Sequence, residues 1–363
     1  MNSNITVETT SSTYPVFTGE HNLSDALPSV LEAYPKDALY LIIDENVQKL
    51  HQNYIESEFS AFFDKIHRFI VPSGETSKTV DFWEKCSGYL LTHHVRRNSL
   101  VVVIGGGVTG DLGGFVASTT LRGLPFIHIP TTLLAMVDSS IGGKTGINFE
   151  TGKNLIGAFK QPEAVIADTA FLQTLPDKEW INGLSEILKY AAISDASIFD
   201  EARIFLDSKK SNIDQNLLLS IINKSIRIKA EIVRKDEFES GIRAYLNFGH
   251  TFAHALEKAS KFSKISHGEA VFLGMLAATK LSEEIFNVHM GDRFNPFKDL
   301  YAYSVQKQNF DTDTLNKFMK SDKKRVGEDI TFVLLQDWQQ PVLKTVSDRA
   351  LINKAWETAF DEL

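Results

Sequence analysis

The chain has 363 residues, 43% of them hydrophobic and 23% charged, with a formal net charge of −8 at pH 7. These values fit a soluble globular protein and exclude disordered and fibrous classes, and the length suggests two domains, since one core rarely grows past about 250–300 residues. The negative balance argues against nucleic-acid binding, no run approaches the ~18 apolar residues of a membrane span, and the single cysteine, Cys86, excludes an intramolecular disulfide. Met1 to Pro15 is polar, without the apolar core of a secretory signal, so a reducing, cytoplasmic setting is expected.

In chain order, the first half reads as α/β. Short apolar runs at Ala38–Ile43, Ser99–Ile104, Phe126–Ile129 and Ala164–Ala167 suit strands buried on both faces of a parallel sheet. Helical stretches lie between them, at Val80–Leu91 and Asp111–Leu121, and such alternation implies βαβ units. Twelve of the 22 glycines fall between Gly105 and Gly157 and only seven after Pro176, which marks a change of architecture. Thr174 to Asp177 carries a helix-start signal, a capping residue followed by an early proline. The boundary is therefore expected there, with 1–174 as an α/β domain and 175–363 as a helical one. Apolar residues at 3–4 spacing predict helices over Ile213–Val233, Gly241–Ala259 and Gly268–Ile285. After Gly327 only the end of the chain reads as helical.

Three segments carry chemistry. Gly105 to Gly110 satisfies G-x-G-x-x-G between a strand and a helix, where backbone N–H groups and a helix N-terminus favour a pyrophosphate. A tight turn without ligand accounts for the pattern equally well. No strand-end acid follows about 20 residues later, so a ribose contact would come from Asp44 or from Gly74–Lys78. In the polar run Pro130–Asn154, Gly142 to Thr145 matches the end of a P-loop. The full motif needs glycine where Asp138 stands, which excludes a nucleoside-triphosphate site. What remains is a glycine loop with Lys144, Lys153 and Asn154, suited to a phosphate or, more blandly, to solvent. Finally, Arg243, Asn247, His250 and His254 share one face if 241–259 is a single helix. Gly249 in its middle costs about 1 kcal/mol of propensity, so a bend or a close backbone contact is expected there. Spacing alone pairs His250 with His254 as metal ligands, with His267 following them; no acid stands close by in sequence, and Glu186, which shares a helix face with Lys189, is a candidate.

Gly105 to Phe115, Pro130 to Asn148 and Leu246 to Phe252 together resemble the 3-dehydroquinate synthase family, over about Asp44 to Lys324. The resemblance implies an N-terminal Rossmann-like α/β domain and an all-α C-terminal domain. It implies NAD and a divalent metal, Zn²⁺ or Co²⁺, and a homodimer. Metal ligands then fall on Glu186, His250 and His267, overruling the pairing by spacing. NAD contacts fall on Asp44, Asn46, Glu75, Lys78, Gly106, Gly107, Val108, Asp111, Thr131, Thr132, Lys144, Lys153 and Thr174. Substrate contacts fall on Asp138, Lys144, Asn154, Lys189, Lys229, Arg243, Asn247 and His254. Arg122 matches an arginine that reaches the neighbouring subunit's phosphate, and one of Lys323 and Lys324 is expected at phosphate too. The implied activity is a lyase of the shikimate pathway acting on 3-deoxy-D-arabino-heptulosonate 7-phosphate, by transient oxidation, phosphate elimination, re-reduction and aldol closure. Glycerol dehydrogenases share the architecture but would accumulate NADH. Cyclitol-forming relatives tend to replace the residues matching Lys229, Asn247 or His254, and all three are present here.

Overall fold

A computed structural model describes residues 3–150, 152–207, 213–260, 264–306, 310–320 and 329–363. The chain forms two compact units, Met1–Glu179 with Ile222–Phe238, and Trp180–Ile221 with Glu239–Leu363. The division expected after residue 174 lies just ahead of the first crossing. The return of 222–238 to the first unit has no signature in periodicity, because that stretch reads as part of one unbroken amphipathic helix.

The first unit begins with a hairpin, β1 (Ser3–Glu8) and β2 (Thr13–Gly19), followed by α1 (Leu23–Leu31), β3 (Leu39–Asp44), α2 (Glu45–Phe59) and β4 (Ile66–Val71). It continues through α3 (Val80–Thr92), β5 (Val101–Gly105), α4 (Gly107–Thr119), β6 (Phe126–Pro130), the hairpin β7 (Lys144–Phe149) and β8 (Gly152–Phe159), and β9 (Ala164–Asp168). Seven strands form one sheet in the order β1-β2-β9-β6-β5-β3-β4. All neighbours are parallel except β1 and β2. The four expected strands are its buried centre. Alternation sorts their side chains: Leu41, Ile43, Val102, Ile104 and Ile129 pack with Leu27, Ile55 and Phe59. Tyr40, Ile42, Val101 and Val103 pack with Leu90, Leu112 and Val116 on the opposite face. Each such aliphatic side chain contributes about 1.5–3 kcal/mol on burial.

The second unit holds α5 (Asp177–Ile193), α6 (Ser197–Asp207) and the start of α7 (Gln215–Lys235). After it come α8 (His250–Ala259), α9 (His267–Phe286), α10 (Lys298–Gln306), α11 (Thr312–Lys320) and α12 (Arg349–Asp361). This unit is helical as expected, with the addition of an antiparallel hairpin, β10 (Ile330–Leu335) and β11 (Pro341–Val346). Two expectations change. Thr174 does not cap α5; it closes a 3₁₀ helix, Thr169–Thr174, and donates to the Phe171 carbonyl at 3.3 Å. The single helix expected over 241–259 is a 3₁₀ helix, Ile242–Asn247, and then α8, separated at Gly249 with φ 79. Among the described residues no helix is long and apolar enough to cross a membrane.

Candidate active site

In the second unit, glycines let three helices approach more closely than side chains would permit. A Cβ on Gly268, in the first turn of α9, would lie 2.6 Å from Asn182 Cα in α5, and the Gly268 N–H donates to Asn182 Oδ1 at 3.1 Å. A Cβ on Gly274 would lie 2.2 Å from the Gly249 carbonyl oxygen, and one on Gly249 would lie 2.7 Å from Met275 N. His267 thus sits beside one close contact, His250 beside the other, and Glu186 one turn beyond Asn182. Glu186 Oε1 is 3.3 Å from His267 Nε2 and 3.6 Å from His250 Nε2. Ligand atoms of these three residues all lie within 4.8 Å of one another. The edge of a Zn²⁺ tetrahedron with bonds of about 2.0–2.1 Å is about 3.3–3.4 Å, and two histidines with one carboxylate are a catalytic donor set. The residues fit a divalent metal. His254, the partner by spacing, stands outside this trio, its ring edge-on to His250 with centroids 5.7 Å apart.

Each of the three is held on its far side. Lys189 Nζ donates to Glu186 Oε2, which leaves Oε1 for the histidines. His250 Nδ1 donates to the Phe248 carbonyl at 3.2 Å, and His267 Nδ1 is 3.4 Å from Glu257 Oε1. Carbonyls and carboxylates accept, so both Nδ1 atoms carry protons and both Nε2 atoms face Glu186. Burial pushes His250 down to about 3, with Glu186 opposing and Lys189 assisting. Burial also opposes charging of His267, but the hydrogen bonds to Glu186 and Glu257 outweigh it and push that group up to about 10. Arg243 and Asn247 lie on the 3₁₀ helix ahead of α8 rather than on one stripe with the histidines. Arg243 is 1% exposed, and Asn247 Nδ2 donates to Glu239 Oε1 at 2.8 Å.

In the first unit, β3 crosses to β4 on one side and β5 to β6 on the other. The carboxyl ends of β3 and β5 therefore flank a topological switch point, where open α/β sheets bind ligands. Asp44 ends β3; its Oδ1 accepts from Asn46 N and Val47 N at 2.9 and 3.3 Å, and Ser73 Oγ donates to both carboxylate oxygens. Gly105 ends β5, and Gly106 caps α4 without a side-chain hydrogen bond, so the amides of Gly107 and Val108 open a helix with no side-chain cap. That suits a pyrophosphate. The chain's own packing also needs these glycines. A Cβ on Gly106 would lie 2.9 Å from Thr132 Cγ2, and one on Gly110 would lie 2.4 Å from His128 Cε1. Thr131 and Thr132 follow β6, and Thr174 Oγ1 is 2.7 Å from His51 Nε2. Lys78 Nζ pairs with Asp111 Oδ2. Burial raises Asp111 above the usual carboxylate range, with Lys78 opposing.

Asp138 lies in a π-helix, Ala135–Ser139, a form found often at functional positions. Lys229 Nζ, on the part of α7 within this unit, holds its carbonyl at 2.7 Å and its Oδ1 at 3.0 Å. Lys144 begins β7, and Lys153 and Asn154 lie on β8, so the expected glycine loop is in fact a hairpin. Asn154 adopts φ 54, with its N–H donating to Asn148 Oδ1 at 2.9 Å. Asn148 Nδ2 reaches Glu75 Oε1 at 2.7 Å, and its own N–H reaches the Lys78 carbonyl at 2.8 Å. Arg122 stands at φ 70 between Leu121 and Gly123, which also have positive φ. Lys323 and Lys324 lie outside the described residues.

Two residues at these sites went unnoticed in the sequence. Glu257 follows His250 and His254 at helical spacing, a signal that was present but unused. Asn148 lies inside the polar run and joins the Glu75 loop to Asn154, a link made only by folding.

A family model described as 3-dehydroquinate synthase N-terminal matches residues 68–182, and one described as 3-dehydroquinate synthase C-terminal matches 183–325. A 3-dehydroquinate synthase of Bacillus cytotoxicus is 39% identical over 351 residues, covering 96% of this chain and 94% of that protein. The crystal structure of a 2-deoxy-scyllo-inosose synthase complexed with carbaglucose-6-phosphate, NAD⁺ and Co²⁺ superposes with a TM-score of 0.87 at 25% identity, covering 99% of this chain and 100% of that one. A 2-epi-5-epi-valiolone synthase from Streptomyces hygroscopicus, with NAD⁺ and Zn²⁺ bound, shares the fold with a TM-score of 0.83 at 24% identity, over 97% of this chain and 98% of that one.

Proposed function

We propose, because the chain belongs to the 3-dehydroquinate synthase family, that it converts 3-deoxy-D-arabino-heptulosonate 7-phosphate into 3-dehydroquinate and inorganic phosphate. The observation that carries the chemistry is the convergence of Glu186, His250 and His267 within 4.8 Å. These three would hold a Zn²⁺ or Co²⁺ ion. The glycine turn with Asp44, Asn46, Glu75, Lys78, Asp111, Thr131, Thr132, Lys144, Lys153 and Thr174 would hold NAD. When bound, the metal would supply Lewis acidity at a substrate hydroxyl and NAD would supply reversible hydride exchange, so that turnover shows no net oxidation.

The remaining assignments concern the chain's own side chains. Lys144, Lys229 and Arg243 bind the substrate's carboxylate and phosphate, where arginine offers a planar fork and lysine a point charge. Asp138, Asn154, Lys189 and Asn247 orient the hydroxyl groups. His254 positions the departing phosphate, whose own oxygen takes the proton released in elimination. We assign a cytoplasmic homodimer, with Arg122 reaching the neighbouring subunit's phosphate.

Phosphate release from the heptulosonate phosphate, with NAD⁺ and Zn²⁺ supplied and absorbance followed for NADH, tests the reading. Release without NADH accumulation, abolished by a chelator, is expected. Silence with this acid, together with release from glucose 6-phosphate or sedoheptulose 7-phosphate, would move the chain to the cyclitol-forming enzymes and remove the carboxylate role from Arg243 and Lys229.

A further inference from the structure

Glu186, His250 and His267 are each fixed from behind by a different kind of group. Lys189 is a cation, the Phe248 carbonyl is neutral, and Glu257 is an anion. Glu257 is buried, its side chain 7% exposed, on the same helix as His250. A carboxylate in such a position is costly unless it meets a charge or a donor, and the His267 Nδ1–H is one that it meets. The contact spans α8 and the first residue of α9, so it governs how the imidazole turns about its own bonds while the glycine packing fixes the two backbones.

We propose that Glu257 is a positioning residue that fixes the ring of His267 and raises the basicity of its Nε2, and thereby sets the affinity of the Glu186–His250–His267 trio for a divalent metal; this rests on the reading of that trio as metal ligands. The physical ground is general. A ligating histidine gains donor strength when its second nitrogen gives its proton to a carboxylate, and loss of such a partner weakens metal binding about 10–100-fold. Lys189 draws charge away from Glu186, so among the three partners Glu257 alone adds negative charge beside the cation.

Competition with a chromophoric chelator, run on the metal-stripped full-length protein, measures Zn²⁺ affinity. The visible spectrum of the Co²⁺-loaded protein reports the ligand field independently of turnover. Glu257→Gln keeps the shape and an acceptor but removes the charge; it is expected to bind Zn²⁺ about 10–100-fold more weakly than the parent and to shift the Co²⁺ bands. Glu257→Ala is expected to lose at least as much, and if it fails to fold the glutamine variant decides alone. Zn²⁺ affinity within twofold of the parent in Glu257→Gln, with unchanged Co²⁺ bands, would overturn the proposal and leave Glu257 as a tie between helices. His267→Ala serves as the control on the premise. Loss of binding there is expected, whereas undiminished binding would overturn the ligand reading itself whatever Glu257 does.

Discussion

His128 on β6 lies with its ring against the Cα of Gly110, where a methyl group would come within 2.4 Å of it. The third glycine of the phosphate-type motif is therefore needed for helix-on-strand packing. Burial holds His128 down to about 4, while the unfolded chain protonates it near its ordinary value of 6.5. The folded form binds the proton less readily, so the stability this residue permits is full above pH 6.5 and drains away as pH falls toward 4. Integrated over that window the effect is on the order of 3 kcal/mol. His128→Gln is expected to flatten the acid limb of stability. Urea unfolding of both proteins between pH 7 and 4 measures it, and parallel limbs would refute the assignment. The glycines and basic residues of the motifs stood out in the sequence because their chemistry is rare in those patterns. Glu257 did not, since its helical spacing from His250 and His254 gains meaning only once its burial is known.

The elements legible in advance were those with an undivided signal. β3, β5, β6 and β9 are continuous apolar runs because both of their faces are covered. β4 was missed because it is an edge strand of mostly half-buried residues, His67 and Arg68 among them. The β7–β8 hairpin was missed because its polar side chains mask a period of two. Gly249 was read correctly as a place of bend or close approach, and it is both. Residue spacing nonetheless misplaced Arg243 and Asn247, since a 3₁₀ turn advances differently from an α-helix. The pairing of Gly249 with Gly274 explains why α8 and α9 can carry two convergent histidines. Gly274→Ala forces a methyl group onto backbone that has no rotamer with which to yield. It is expected to cost about 1–3 kcal/mol or more and to weaken metal binding along with stability. Thermal unfolding with and without Zn²⁺ measures both, and an unchanged melting temperature would contradict the close packing.

At the scale of the molecule, the chain leaves the first unit at Glu179, returns at Ile222 and leaves again after Phe238. The returning segment is bonded into the first unit. Asn223 Oδ1 accepts from Thr18 Oγ1 at 2.7 Å, Glu237 Oε2 accepts from Ser11 N at 3.0 Å, Glu237 Oε1 accepts from Gln161 Nε2 at 2.9 Å, and Lys229 holds Asp138. Helical periodicity does not reveal this, since the apolar 3–4 spacing runs on through the helix that carries the segment. A fragment of residues 1–179 is expected to lack cooperative unfolding, whereas the same fragment joined through a flexible linker to residues 222–238 regains it. Circular dichroism across a urea gradient distinguishes the two, and a sharp transition in the shorter fragment would show that the returning segment is dispensable.

That return also sets a schedule for the nascent chain. The α/β sheet emerges from the ribosome first, yet its last partners follow roughly 60 residues later, a lag of about 3–12 s at ~5–20 residues per second. Through that interval the hairpin turn at Ser11, the Asp138 carboxylate and Gln161 must wait for polar neighbours not yet synthesised. The N-terminal unit thus completes its polar contacts only once residue 238 has been made.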